Sequence, residues 1–94
     1  MKEKLLELLT ALRTKGADAW EYLDAEQTWK AVVGDYTLLV TRRASWCEWE
    51  VKHERFGQLI EATPAMVSTY AKYEAVDFTR AHVLGVMEAQ HLEA

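Results

Sequence analysis

The chain is poor in the residues that build special-purpose proteins. It has one cysteine, one proline and four glycines in 94 residues. A lone Cys47 cannot close a disulfide within the chain, so no disulfide framework staples the fold and a reducing compartment is expected. With so little proline and glycine and no polar tract, a collagenous, linker-like or disordered chain is excluded. No apolar run approaches the ~20 residues of a bilayer span. The opening MKEKLLELL is interrupted by Glu3 and Glu7 and does not read as a secretory leader. Excess positive charge is also missing. Eleven Lys and Arg stand against fifteen Asp and Glu, a net charge of −4, so the basic footprint of a nucleic-acid binder is lacking. These absences lead to the expectation of one cytoplasmic domain over residues 1–94.

The signatures of chemistry are missing too. There is no G-x-G-x-x-G, no P-loop and no G-x-S-x-G. Cys47 and His53 fall on the same strand parity but ~20 Å apart if the strand is extended, and His82 and His91 are too far apart to act as one helical ligand pair. Glu48 and Glu50 point the same way, ~6.5–7 Å apart along a strand. That separation suits inverting glycoside hydrolysis, which also needs a cleft and an acid of raised pKa. A small sheet supplies neither, so the pair reads as a solvated strand face. No enzyme activity, metal or cofactor is expected.

What the chain does have is concentrated in residues 28–52, TWKAVVGDYTLLVTRRASWCEWEVK. Large apolar and polar residues alternate there with the period of a strand. Gly34-Asp35 suits a two-residue type II′ hairpin, pairing Val33 with Tyr36, Ala31 with Leu38 and Trp29 with Val40. A four-residue loop over 42–45 then pairs Val40 with Cys47, Leu38 with Trp49 and Tyr36 with Val51. Both hairpins select one core face: Trp29, Ala31, Val33, Tyr36, Leu38, Val40, Cys47, Trp49 and Val51.

Around this meander the pattern is helical. Residues 2–14 gather Leu5, Leu6, Leu8, Leu9 and Leu12 on one arc, with Gly16 placed to stop the helix. Residues 17–27 carry two patterns. Asp18 with Glu21 resembles a capping box, while Trp20 and Tyr22 alternate like an edge strand. The expectation is a short helical or irregular connection anchored by Trp20. A turn over 53–57 leads to a fourth strand over 58–62. Thr63-Pro64 signals a helix start, with a break expected near residues 68–72 because an unbroken helix looks too long for the domain. Residues 74–90 place Ala75, Val76, Phe78, Thr79, His82, Val83, Val86 and Met87 on one side. The expected fold class is α+β: an N-terminal helix, a three- to four-stranded antiparallel meander sheet and a C-terminal helix, with both helices on one face.

The opposite sheet face then carries Val32, Leu39 and Trp46, flanked by Lys30, Glu48 and Glu50. An apolar centre with a charged rim is the usual composition of a partner surface, and tryptophan is a frequent anchor. Either the N-terminal helix or the 18–27 segment folds over this face, or another molecule does. The order helix, three strands, helix is similar in topology to the double-stranded RNA-binding domain. That family places a lysine cluster at the start of its second helix, whereas Lys72 and Arg80 here stand beside Glu74 and Asp77. A nucleic-acid-binding module is therefore the alternative rather than the main expectation. The main expectation is a small acidic, non-enzymatic protein-binding protein whose partner is another protein or a second copy in a homodimer. Size and charge are those found among phage or mobile-element inhibitors of host proteins and among chaperones or adaptors.

Overall fold

A computed structural model describes residues 2–15 and 19–93, with side chains left undescribed at 2, 14, 15 and 86–93. Helix α1 (Lys2–Lys15) is followed by β1 (Glu21–Leu23), a 3-10 turn (Asp24–Glu26), β2 (Thr28–Val33), β3 (Tyr36–Arg42), β4 (Cys47–His53), β5 (Gly57–Ala65) and α2 (Ser68–Glu93). The strands form one antiparallel sheet in sequence order, β1-β2-β3-β4-β5. The fold is α+β with five strands, where three to four were expected.

The added strand is β1. Of the two patterns in residues 17–27, the strand is realised. Tyr22 pairs opposite Trp29, with ring centroids 4.9 Å apart. A 3-10 turn follows the strand and ends at Gln27 in left-handed backbone, φ 49°. Trp20 anchors the connection as expected and is buried. Gly16 and Asp18, expected to stop one helix and cap a turn, lie outside the described residues.

The first hairpin has the expected register, with Val33 opposite Tyr36, Ala31 opposite Leu38 and Trp29 opposite Val40. Gly34 has φ +57° while Asp35 has no positive φ, the type II′ pattern. The second hairpin differs. Arg42, not Val40, opposes Cys47; Val40 opposes Trp49, Leu38 opposes Val51 and Tyr36 opposes His53. The loop is 43–46, closed by the Arg43 N–H donating to the Trp46 carbonyl at 2.8 Å. The pairing has moved by two residues, so every side chain keeps its face. All nine residues expected on the core face are buried or, for Trp29, partly buried.

The C-terminal expectations need correction. Thr63 and Pro64 do not start a helix; they extend β5, opposite Trp49 and Glu48, and Ala65 opposes Cys47. Proline is tolerated because β5 is an edge strand, where a missing N–H can face away from the ladder. The pairing of β4 with β5 is irregular around Val51. Residues 68–72 are the start of α2 rather than a break within it. The helix runs 26 residues, about 39 Å at 1.5 Å per residue.

The core joins Leu9 and Leu12 of α1, Trp20, the inward strand residues, and Ala71, Ala75, Val76 and Val83 of α2. Helix α1 packs chiefly on α2, and α2 on β3 and β4. The leucine stripe is narrower than its arc suggests: Leu5 and Leu6 are partly buried and Leu8 is 41% exposed. Thr79 is fully buried, and its hydroxyl donates to the Ala75 carbonyl at 2.8 Å, which removes the cost of burying it. Val86, Met87 and His91 fall among the undescribed side chains.

Candidate interaction surface

The strands that build the surface present two chemically distinct sides. On the core side the polar atoms are locked onto α2. The Trp49 indole N–H donates to Glu74 Oε2 at 2.6 Å, and its ring lies 5.8 Å from that of Phe78. The Tyr36 hydroxyl and His82 Nδ1 share a hydrogen bond of 2.8 Å. Burial, and secondarily Asp35, raises the Tyr36 pKa, while burial and then neighbouring His53 lower that of His82. His53 Nδ1 accepts the backbone N–H groups of Arg55 and Phe56 at 3.0 and 3.3 Å, and its ring stacks on Phe56. His82 is thus a hydrogen-bonded border histidine. Among the described residues no group of His, Cys, Asp or Glu could hold a metal.

On the other side, Lys30 opposes Leu39, which opposes Glu50; Val32 opposes Thr37; Thr28 opposes Thr41, which opposes Glu48. Leu39 therefore lies between Lys30 and Glu50. Polar groups here pair with one another. Glu48 takes the Arg43 guanidinium at 3.1 Å, Glu50 accepts from the Gln58 amide at 2.7 Å, and the Thr28 and Thr41 hydroxyls lie 3.1 Å apart. Glu48 and Glu50 are each held by a different partner on a different element. Lys30, Leu39, Glu48 and Glu50 are half-buried, and Val32 is 62% exposed.

Trp46 is not on this face. It sits in the 43–46 loop, ahead of the first residue of β4, and among the described residues it has no partner across the sheet. The six residues expected to form one surface are thus split. Val32 stands beside the Gly34-Asp35 turn, Lys30, Leu39, Glu48 and Glu50 occupy the middle, and Trp46 stands at the opposite end.

That end holds what the sequence reading missed. The loop 43–46 and the connection from β5 to α2 enclose a groove of ≈ 420 Å³, with Trp46, Met66 and Val67 among its walls. They are 42%, 83% and 48% exposed. Arg42 and Arg43 also line it, and no carboxylate does. Met66 and Val67 were hidden by reading Thr63-Pro64 as a helix start, which buries them in a helix. The signal that could have found them was Ser68-Thr69, two helix-initiating residues directly after an apolar pair.

The chain matches no protein-family model, no curated protein and no solved structure. With five strands the sheet also exceeds the helix, three strands, helix order of the RNA-binding topology. The functional reading rests on the surface itself.

Proposed function

We propose that this chain is a small protein-binding protein with no chemistry of its own, and that its partner docks at the Trp46 end of the sheet. The observation that carries the reading is three large apolar side chains, Trp46, Met66 and Val67, exposed around one groove at the end of the sheet. Grouped apolar exposure is rare on a monomer surface, and aromatic and methionine side chains are favoured at contact centres. In this reading both helices lie on the face bearing Trp49. Support comes from the Glu74, Phe78 and His82 contacts of α2 and from Leu9 and Leu12 sharing the core. The outward face, with Leu39 and Val32, then flanks the groove as a secondary contact area. The size and acidity of the chain suit a cytoplasmic inhibitor of the phage or mobile-element type acting on a host protein.

The test is capture from extract of the native host on immobilised wild-type protein, with Trp46→Ala and Met66→Ala proteins run in parallel. A protein held by the wild type and lost from both variants, while their thermal melts match the wild type, is the expected result. Equal retention on all three would overturn the docking site.

A further inference from the structure

A second site lies between α1, Trp20 and the start of α2. Lys72 is only 9% exposed. Lysine is almost never buried to that degree without a partner of opposite charge. Yet no hydrogen bond or ion pair to Lys72 is found among the described residues. Its ammonium sits over two indoles, 5.8 Å from the Trp20 ring centre and 4.8 Å from that of Trp29. The second face partner of Trp29 is another cation, Arg42, at 5.4 Å. The ring faces replace part of the lost hydration of Lys72, but they accept none of its three N–H bonds in the manner of an oxygen.

A second donor is stranded beside it. Trp20 is 6% exposed, and its Nε1–H is a buried polar group with no acceptor. A buried indole N–H normally has one. Trp20 and Lys72 both line a recess of ≈ 80 Å³ that also takes in Arg13 and Thr69. Its lining brings together two cations, Arg13 and Lys72, with Trp20 and two hydroxyl-bearing residues, Thr69 and Tyr73, and no carboxylate. Arg13 pairs with Asp77 at 3.7 Å, with both side chains half exposed. Cys47 is an ionisable neighbour of Lys72. By the measure in which one water needs about 10–15 Å³, the recess has room for a group of several heavy atoms. It also lies in the first turns of a long helix, where the backbone dipole favours negative charge.

We propose that this recess binds a compact oxyanion, the phosphate or carboxylate group of a small ligand, held by Lys72, the Trp20 indole N–H and Thr69, with Arg13 at its mouth. The cavity, the stranded indole donor and the uncompensated lysine are all accounted for by one missing acceptor. Burial pushes the Lys72 amine below its ordinary pKa, and an anion in the recess would push it back up.

The indole N–H resonances of the four tryptophans report on this directly. Trp20 is assigned with a Trp20→Phe protein, and inorganic phosphate and acetate are titrated in separate arms at constant ionic strength. The expected result is a saturable shift of the Trp20 signal with at least one anion while the Trp46 signal stays still. The stronger arm identifies the phosphate or the carboxylate class. Lys72→Met should weaken that affinity by about tenfold or more, the loss of a charge-assisted bond, and Lys72→Arg should recover part of it. Should Lys72→Met fail to fold, Thr69→Val supplies the weakened site, with a smaller loss. Non-saturating shifts in both arms, or shifts shared equally by Trp46, or a response unchanged in Lys72→Met or Thr69→Val, would overturn the proposal.

Discussion

Trp46 and Trp49 are near neighbours in sequence and opposites in surroundings. Trp49 is 5% exposed, donates its indole N–H to Glu74 and lies beside Phe78. Trp46 is 42% exposed and stands with Met66 and Val67 around an open groove. The same residue type is core in one place and surface in the other because of where the β3–β4 loop falls. Trp49 lies inside the ladder, opposite Val40 and Thr63, and strand pairing fixes it on the inward face. Trp46 lies in the loop, outside the alternation that would assign it a face. Identity alone does not say which tryptophan anchors a fold and which is free to anchor a partner.

The contrast between core side and free end can be broken from the core side first. Leu38 is fully buried at the centre of the sheet, and Leu38→Ala should cost ~2–5 kcal/mol in denaturant melts. A loss under about 0.5 kcal/mol, the size of a surface change, would mean the inward face has been misassigned. A smaller effect is expected where the core side meets the β2–β3 turn. Gly34 has φ +57°, and a Cβ there would come within 2.6 Å of Leu5 Cδ2. The leucine tip can move, so the backbone conformation decides. Gly34→Ala should cost about 1–2 kcal/mol, and unchanged stability would argue that the turn relaxes to another type.

The smallest expected effect is a pH dependence on the same side. His82 titrates below its ordinary value, so the unfolded chain takes up this proton first as pH falls. The stability contributed by neutral His82 is intact above about pH 6.5, the ordinary imidazole value. It is lost progressively as pH drops below that towards the folded pKa. Thermal melts should therefore fall modestly between about pH 7.5 and 5.5, and His82→Gln should flatten that slope. An equal slope in the variant would show that other groups carry it.

Legibility followed the strength of local signals. Gly34-Asp35 admits one hairpin register, and the alternation on either side of it then placed the core face correctly. The second loop has no glycine, so 42–45 and 43–46 were equally good four-residue loops. Both kept every side chain on its side of the sheet, but only the second removes Trp46 from the ladder. Pro64 misled because proline at a helix start and proline on an edge strand leave the same local mark. What separates them is β5's place at the sheet margin, which is a tertiary fact. That error concealed Met66 and Val67, and with them the groove. Lys72 fell in the expected break over 68–72 and gave no local sign of burial; that burial depends on Trp20 and Trp29 arriving from two other elements.

The most direct test is a paired measurement of chemical denaturation on Trp46→Ala and Trp49→Ala. Trp49→Ala should lose about 3–5 kcal/mol as a truncated core aromatic. Trp46→Ala should stay within about 0.5 kcal/mol of the wild type, as a surface change does. Comparable losses in the two proteins would place Trp46 in the core and contradict the assignment of the free end as the binding surface.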